Sequence, residues 1–233
     1  MPRRTRARSD VAKMLHAATR RLAATDATLL PAHEPRGTRG AILEAGLKLF
    51  AERGYAGASI RELADAVGIQ PASLYAHFPS KEHVLAELCR IGHEAQLRSI
   101  REALSACGAE PRDQVVAYVR GHVAMHTTYP MLAVVANGEL YALSSRLGAG
   151  SFELREQSVQ TLMDIVERGL AAGAFAVPDA WLAVAAIGAM GLRVAYWYTP
   201  RHALSARRIA DVYAEFALRI LGVNSPARRT SDS

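Results

Sequence analysis

The chain has 233 residues, of which 50% are hydrophobic, and this length is enough for one large domain or two modest ones with a substantial core. The formal net charge of +6 arises in residues 1–39, with nine basic and three acidic residues, whereas residues 40–233 hold nineteen of each. An evenly basic surface is therefore excluded. The two cysteines, Cys89 and Cys107, would lie about 27 Å apart in one continuous helix, which excludes a disulfide between them and predicts a reducing, cytoplasmic compartment.

The N-terminal arm, residues 1–36, is basic and is predicted to be flexible. Two interpretations remain open for it: a solvated tail, or an arm that contacts phosphates. Arg20, Arg21 and Asp26 interrupt any apolar signal-peptide core, so we expect no secretion signal. A marginal amphipathic helix is also predicted here, from apolar residues at helical spacing: Val11, Leu15, Ala18 and Leu22.

Beyond the arm, segments with a 3.6-residue period and no alternating strand predict an all-α protein. Stop signals from Gly and Pro predict helices over 38–53, 59–66, 71–78, 81–106, 112–127, 130–145, 152–172, 179–198 and 205–221. The first three are short and the later ones long, which predicts two functional parts. We therefore expect a three-helix domain over 37–85, a helical bundle over 86–223 and a flexible tail over 224–233.

Short turns with clear start and stop signals connect the first three predicted helices. Ser59 and Glu62 have the S-x-x-E spacing of a capping box, which predicts the start of the second helix. Gly68 can adopt the left-handed conformation that ends this helix, and Pro71 suits the first position of the next one. Two short crossed helices with a glycine turn predict a helix-turn-helix.

The third helix has few core residues. Only Leu74 and Phe78 are clearly apolar anchors, so its remaining side chains are available to the outside. Small residues at 72 and 73 would let the helix sink into a major groove, where Ser73 and Gln70 can bond base edges or phosphates. Its alternative interpretation, an ordinary helical hairpin, would require more large apolar residues.

This stretch resembles the DNA-binding signature of TetR-type transcriptional regulators, roughly T-x-x-x-I-A-x-x-A-G-V-x-x-x-x-L-Y-x-H-F-x-x-K-x-x-L. Ser59 stands for the more common Thr and Ile69 for the more common Val, and the rest of the pattern is met by Leu63, Ala64, Ala66, Gly68, Leu74, Tyr75, His77, Phe78, Lys81 and Leu85. The resemblance implies that helix 71–78 is the recognition helix and that Tyr75 and Lys81 contact phosphates. The predicted DNA-contacting set is Thr38, Arg39, Ser59, Ile60, Arg61, Gln70, Pro71, Ala72, Ser73, Tyr75, His77 and Lys81.

The same resemblance implies a C-terminal body that binds a small molecule and dimerises, and hence a ligand-released repressor on a palindromic operator. The segment around Trp197, Tyr198 and Pro200 resembles a branch whose members often sense acyl-CoA thioesters in fatty-acid or steroid catabolism, so an apolar or acyl-CoA-like effector is expected. The last helix carries an unusually wide apolar stripe. With helix 179–198, helix 205–221 is predicted to form half of a four-helix homodimer interface, the alternative being that both complete a monomer core.

Candidates for the effector site are polar and aromatic residues of the body. Arg193 lies in a very apolar segment and needs a partner, and an ion pair with an acid such as Glu139 is favoured over a ligand anion. His122 and His126 share a helix face but have no third ligand nearby, so no metal is expected. The predicted ligand-binding set is Arg120, His126, Tyr129, Arg146, Arg193, Tyr196 and Trp197.

Motifs of enzymes are missing from the sequence: there is no dinucleotide fingerprint, no G-x-x-x-x-G-K-[ST] and no G-x-S-x-G. We therefore expect a non-enzyme without a cofactor. The alternative is a helical enzyme or small-molecule-binding protein with the helix-turn-helix as a structural hairpin. The apolar run 181–198 carries Arg193 and lies between two prolines, which favours a buried helix over a membrane span.

Overall fold

The structure, a computed structural model, describes residues 28–32 and 34–223. Within these ranges the secondary structure consists of nine α-helices and one 3-10 helix, with no strand, so the predicted all-α class is confirmed. The predictions for the arm helix and for the tail over 224–233 lie outside the described residues.

The first three helices are α1 (Gly37–Arg53), α2 (Ile60–Val67) and α3 (Pro71–Tyr75). The predicted recognition helix over 71–78 is shorter in the structure, because Pro79 disfavours helical backbone at the residue before it. The chain leaves α3 through a tightened turn in which the His77 and Phe78 N–H groups both donate to the Leu74 carbonyl. This turn keeps Phe78 buried beneath α3.

Six further helices form the body: α4 (Lys81–Ser105), α5 (Pro111–Thr128), α6 (Pro130–Gly138), α7 (Ser145–Ala171), α8 (Ala180–Trp197) and α9 (Ala206–Ile220). A 3-10 helix, Leu140–Ala142, connects α6 to α7. The cysteines Cys89 and Cys107 are free.

Two predicted boundaries in the body are wrong. The helix expected over 130–145 ends at Gly138, and the helix expected over 152–172 begins at Ser145. The sequence signal was misread because Gly148 and Gly150 suggested a break before residue 152. Gly148 instead allows close packing inside α7, since a Cβ atom there would lie 3.2 Å from the Phe152 ring.

The hydrophobic interior consists of two clusters. The first joins α1, α2 and α3 to α4 and α6, so that Leu47, Leu63 and Leu74 share one core with Met131 and Val135. The second lies within the body, among α5, α7, α8 and α9. The first core therefore crosses the predicted domain boundary near residue 85.

Helix α8 buries only one face. By length and composition Ala180–Trp197 would be long and apolar enough to cross a membrane, a property that core helices of soluble proteins share, and 33% of it is buried. Its opposite face exposes 60% of Leu182, and Phe216 on α9 is 40% exposed. The helix predicted to be buried is therefore buried on one face only, and an apolar surface remains on these two helices.

Candidate functional site

The surface around α3 is built on a rigid support. Leu74 and Phe78 are fully buried beneath the helix, so its outward residues have fixed positions. On that outward side Ala72, Ser73 and Tyr75 are exposed, and about half of the Tyr75 side chain is accessible (51%). A short helix with small residues next to a protruding tyrosine has the shape required to enter a groove.

The angle of α3 is set by local backbone chemistry. The Ser59 side chain accepts a hydrogen bond from the Glu62 N–H, and the Glu62 carboxylate accepts one from the Ser59 N–H, which completes the predicted capping box. The Ser59 hydroxyl and then the Ser59 N–H, which both donate to the Glu62 carboxylate, hold the pKa of Glu62 below its usual range, and the nearby charge of Arg53 adds to this effect. Gly68 ends α2 in the left-handed conformation (φ 73°, ψ 31°), and Pro71 begins α3, as predicted.

Two of the cations predicted to contact DNA make contacts within the protein. Lys81 Nζ donates to the Tyr55 and Ala58 carbonyls at 2.7 and 2.6 Å and lies over the Tyr55 ring. Arg39 donates to the His77 carbonyl at 2.9 Å and packs over the Phe78 ring. Both side chains therefore brace the support of α3, and their contact with DNA stays a prediction.

The other predicted DNA-contacting residues surround α3. Arg61 is exposed on α2 without an ion pair in the described part of the chain. The remaining exposed members are Thr38, Ser59 and Gln70, and the half-buried ones are Ile60, Pro71 and His77. Gln70 occupies the N-cap position of α3, but its side chain makes no capping hydrogen bond. Its amide is thus available to a partner.

A second feature is a cavity of about 320 Å³ in the body, between α4, α5, α6, α7 and α8. Most of its wall is apolar and is provided by α7 and α8, including Leu162, Val184, Ala185, Gly188 and Leu192. Its polar wall is provided by His93, Gln96, Tyr118, His122, His126, Asn137, Arg155 and Ser158. The size and composition are those of a small-molecule site.

The polar wall contains atoms without a partner. The buried Nε2 atoms of His93, His122 and His126, and both polar atoms of the Gln96 amide, have no hydrogen-bond partner. In contrast, the Tyr118 hydroxyl donates to the Ser158 carbonyl at 3.1 Å, and the Asn137 amide donates to the Ala133 carbonyl at 2.8 Å.

Two of the histidines stack on each other. The rings of His122 and His126 have centroids 4.6 Å apart at an interplanar angle of 21°. Gly191 on α8 makes room for them, since a Cβ atom at this position would lie 2.5 Å from the His122 ring. The fully buried pair is thus held between α5 and α8.

Burial keeps the cavity histidines neutral. Desolvation lowers the pKa of His126 to about 4, and it lowers the pKa of His93 to about 4 with a further contribution from the charge of Arg155. Desolvation, followed by the neighbouring His126, lowers the pKa of His122 well below its ordinary value. At neutral pH the wall therefore offers uncharged imidazoles.

At the rim of the cavity lie Arg155 and Trp181. Arg155 is half-buried and donates to the Tyr141 hydroxyl at 2.8 Å, while Trp181 is 63% exposed. Val159 is also exposed (43%). The opening therefore lies between α7 and α8 and carries one cation.

Of the predicted ligand-binding residues, His126 alone lines this cavity in the described structure. Arg120 forms an ion pair with Asp211 at 2.8 Å, which ties α5 to α9. Trp197 contacts the His202 ring and lies near the Tyr213 hydroxyl of α9. These two residues link helices of the body and lie outside the cavity wall.

The ion pair predicted for Arg193 is not found among the described residues, and its role in ligand binding stays a prediction. Arg193 is exposed, makes no ion pair within the described residues, and lies over the Tyr196 ring at 4.6 Å. The prediction assumed a buried α8, whereas Arg193 lies on the exposed face of that helix. Tyr129 caps the junction of α5 and α6, and Arg146 is exposed near Glu82, so neither lines the cavity.

Most residues of the polar wall were not predicted from the sequence. His93 and Gln96 lie three residues apart in α4 among apolar positions, and Ser158 and Arg155 are likewise spaced in α7. Polar residues on an otherwise buried helix face were the available signal. Among the described residues no group of three His, Cys, Asp or Glu has a geometry that could hold a metal ion.

Comparison with protein families assigns both parts of the chain. Residues 42–88 match the family described as bacterial regulatory proteins, tetR family. Residues 108–221 match the family described as tetracyclin repressor-like, C-terminal domain. The two matches together reach from α1 to α9 and leave out residues 89–107.

Individual relatives agree with this assignment. The HTH-type transcriptional repressor KstR2 of Rhodococcus jostii is 28% identical over 192 residues, which cover 82% of this chain and 93% of that protein. A crystal structure of a bacterial regulatory protein in the tetR family from Rhodococcus RHA1 has a TM-score of 0.75 and 30% identity, covering 82% of this chain and 100% of that one. AibR, solved in complex with isovaleryl coenzyme A and operator DNA, has the same fold, with a TM-score of 0.69, 23% identity, and coverage of 76% of this chain and 96% of that one.

Proposed function

Because the chain belongs to the TetR family of bacterial transcriptional regulators, we propose that it is a ligand-released repressor that binds a palindromic operator as a homodimer. It is a DNA-binding regulator, and the observation that carries the assignment is the exposed face of α3, held by Leu74 and Phe78 on a rigid core. This buried support disfavours the alternative of a mere structural hairpin, which would have no need to expose Ser73 and Tyr75 together.

In the proposed complex α3 enters the major groove. Gln70 and Ser73 face base edges, whereas Tyr75 and Arg61 reach phosphates on either side. Arg39 and Lys81 hold the ends of the supporting helices and add positive charge close to the backbone. The protein acts in the cytoplasm, where operator DNA is available.

The proposal for the homodimer rests on the exposed apolar face of α8 and α9. Leu182 and Phe216 lie on this face, and a second copy would remove them from water. A two-fold assembly places two α3 helices about 34 Å apart, one turn of the duplex. Either half-site alone would bind weakly.

The cavity is the proposed effector site. Its wall is apolar and its rim carries Arg155, which suits an apolar group inside and an anionic group outside. An acyl-CoA-like molecule has this distribution, with its thioester-linked acyl group in the cavity. The binding of isovaleryl coenzyme A by AibR, a protein of the same fold, supports this class of effector.

Two helices connect the cavity to α3. Helix α4 contributes His93 and Gln96 to the cavity wall and Leu85 to the core beneath α3. Helix α6 contributes Asn137 to the wall and Met131 to the same core. We expect a bound effector to displace these helices together and to change the spacing of the two α3 helices, a coupling that needs only ~1 to 3 kcal/mol.

DNA binding is tested by selecting bound duplexes from a random library and measuring the affinity of the enriched sequence by fluorescence anisotropy. We expect a palindrome with two half-sites, and an affinity that falls steeply between 50 and 200 mM salt on the order of 10³-fold. The control is a variant with Tyr75→Ala and Gln70→Ala, which should fold normally and lose the enrichment. Selection of no common sequence by the unaltered protein would contradict the assignment.

The homodimer is tested by light scattering of a Leu182→Glu, Phe216→Glu variant, which buries two carboxylates in the proposed interface. We expect a monomer with greatly reduced operator affinity. Tyr141→Glu is the control, because Tyr141 is 70% exposed and lies far along the chain from both helices. If the double variant remains a dimer, the interface lies elsewhere.

The effector class is tested by titrating isovaleryl-CoA and longer acyl-CoAs into the protein bound to its selected operator. Release of DNA by at least one of them, with free coenzyme A inactive, is the expected result. An Arg155→Gln variant should require more ligand. Failure of every acyl-CoA to change operator affinity would refute this class while leaving DNA binding intact.

A further inference from the structure

The cavity wall has an unusual concentration of unsatisfied polar atoms. The five buried side-chain atoms without a hydrogen-bond partner in the described part of the chain belong to His93, Gln96, His122 and His126, and all four residues line the cavity. Folded proteins rarely leave such groups unpaired, because each one loses its interaction with water. The cluster therefore indicates hydrogen bonds that a bound molecule completes.

The direction of two of these hydrogen bonds follows from the opposite side of each ring. His126 Nδ1 lies 2.9 Å from the His122 carbonyl oxygen, so Nδ1 carries the proton and donates it. On His93, Nε2 is the unpaired ring nitrogen, and the Ala136 backbone raises the pKa of the ring, as a carbonyl oxygen that accepts from the other nitrogen does. In the neutral rings both Nε2 atoms are therefore acceptors.

These acceptors have no hydrogen-bond partner on the cavity wall. The facing surfaces of α7 and α8 contribute Leu162, Val184 and Gly188, which have no side-chain donor. The nearest polar neighbours, Tyr118 and Asn137, already direct hydrogen bonds to carbonyls. The other groups on the wall that can donate, on Gln96, Ser158, Arg155 and Trp181, make no hydrogen bond to these Nε2 atoms.

We propose, building on the effector role assigned to the cavity above, that the part of the ligand inside it is a largely apolar ring or chain that carries hydroxyl or N–H groups, which donate to Nε2 of His93 and His126. The apolar remainder lies against Leu162 and Val184. For an acyl-CoA, the acyl group is then a hydroxylated one. Gln96 accepts or donates to a further polar group.

A carboxylate inside the cavity is the wrong partner for this wall. Its oxygens would face the lone pairs of two neutral imidazoles, and it would lose its own hydration. The Arg155 guanidinium lies at the rim, where an anionic group remains near solvent. The ligand is thus expected to place donors deep and any negative charge outside.

The inference is tested with probes that differ in donors but share one apolar frame. Binding of naphthalene, 2-naphthol, and the 1,5-, 2,6- and 2,7-dihydroxynaphthalenes to the full-length protein is measured by calorimetry, with 2-naphthoate as the anionic probe. We expect the best diol to bind about tenfold or more tightly than naphthalene and 2-naphthoate to bind no better than naphthalene. Equal affinities for naphthalene and all diols, or no binding of any probe, would overturn the proposal.

Variants assign the preference to the two histidines. His126→Leu and His93→Leu should each reduce the ratio of diol to naphthalene affinity by several-fold, because an acceptor is removed and naphthalene binding is kept. His126→Gln retains an acceptor and should preserve most of the ratio. Leu192→Met is the apolar control and should change both affinities alike. An unchanged ratio in both leucine variants would refute the assignment.

The same samples separate this inference from the proposed function. Operator affinity is measured on each variant without ligand, and folding is monitored by circular dichroism. If the protein binds its operator but shows no preference for donors, the inference fails and the regulatory function stands. If the preference for diols is found without operator binding, the ligand chemistry stands and the regulatory function fails.

Discussion

Ser59 shows how one side chain positions the DNA-binding surface. Its hydroxyl lies 3.2 Å from the Glu62 N–H and 2.8 Å from the Glu62 carboxylate, so it fixes the first turn of α2. Because α2 and α3 are joined only by the turn at Gly68, the orientation of α2 is passed on to α3. The capping box therefore helps to set the orientation of α3.

We expect Ser59→Ala to lower the free energy of unfolding by about 1 kcal/mol, since an N-terminal cap is lost. Urea unfolding followed by circular dichroism measures this. The control, Ser73→Ala, removes a hydroxyl from the exposed face of α3 and should leave stability unchanged while weakening operator binding. An equal loss of stability in both variants would show that the cap is not the cause.

Arg61 is the cation best placed to contact phosphates without a structural role. We expect Arg61→Ala to weaken binding to the operator and to unrelated DNA by similar factors and to reduce the slope of log affinity against log salt by about 1. Arg112→Ala, an equal loss of charge at the exposed start of α5, should leave the slope unaltered. A change of base preference in the Arg61 variant would instead identify it as a contact to bases.

The caps and the turn that precede α3 were predicted correctly from the sequence, whereas the cavity was not predicted. The caps and turn at Ser59, Gly68 and Pro71 are local signals, readable from neighbouring residues alone. The cavity joins residues from five helices that are distant in sequence, so no local spacing revealed it. Arg193 was predicted to need a partner because its sequence neighbours are apolar, but it lies on the exposed face of α8.

Close approaches between helices connect the elements. At Gly92 on α4, a Cβ atom would lie 2.5 Å from the Cβ of Ala136 on α6, and at Gly46 on α1 it would lie 2.8 Å from Val84 on α4. Helices α4 and α6 are thus packed nearly backbone to backbone, and the backbone of α1 lies against the Val84 side chain of α4. Such packing passes on small displacements, because there is little side-chain volume to absorb them.

We expect Gly92→Ala to destabilise the protein by about 1 to 3 kcal/mol, because the new methyl group forces α4 away from α6. It should also change how strongly effector binding alters operator affinity. Gly150→Ala is the matched control: no atom lies within 4 Å of the added Cβ, so a gain of about 0.5 to 1 kcal/mol in helix stability is expected. Thermal unfolding of both variants measures this difference. Equal stability of the Gly92→Ala and Gly150→Ala variants would exclude the close contact between α4 and α6.

Helix starts were predicted correctly where a local proline or cap marks them. They were predicted incorrectly where tertiary packing sets the boundary. Pro71, Pro111 and Pro130 each begin a helix within one residue of the predicted start. The region from 139 to 151 was misread because its chain direction depends on a tertiary contact. The Ser144 N–H at the start of α7 donates to Glu82 on α4 at 2.8 Å.

For the whole molecule, the buried histidines predict a loss of stability in mild acid. His93 and His126 have folded-state pKa values of about 4, below the unfolded value near 6.5. The unfolded chain binds protons that the folded chain excludes, so stability is fully present above pH 6.5 and falls as the pH decreases toward 4. We expect a loss of about 2 kcal/mol per histidine between pH 7.5 and pH 5.

Urea unfolding at these two pH values measures the effect. The control is His126→Phe, which keeps the ring stacked on His122 but cannot be protonated, so its pH dependence should be shallower by the contribution of one histidine. A variant with the same pH dependence as the unaltered protein would show that His126 is not excluded from protonation. The third histidine, His122, adds to the effect in the same direction.

The overall plan, a helix-turn-helix followed by a larger helical body, was predicted from the signature around Gly68 and from helix length. The proposed division near residue 85 separates the part proposed to bind DNA from the part proposed to bind the effector, whereas the hydrophobic core is continuous across it. Side chains of α1 pack on α6, whose residues come more than 75 positions later in the sequence. The spacing of apolar residues within α1 or within α6 does not indicate that the two helices are in contact.

That undivided core has a consequence for how such a regulator can be altered. A fragment that ends near Leu85 would leave Leu47 and Leu63 without the neighbours that α6 provides, Met131 and Val135 among them. Exchanging the DNA-reading segment between relatives, whether by recombination in nature or by design in the laboratory, therefore requires matching surfaces on α6 as well. Changes that alter operator specificity and changes that alter effector specificity must both preserve the packing of these few apolar side chains.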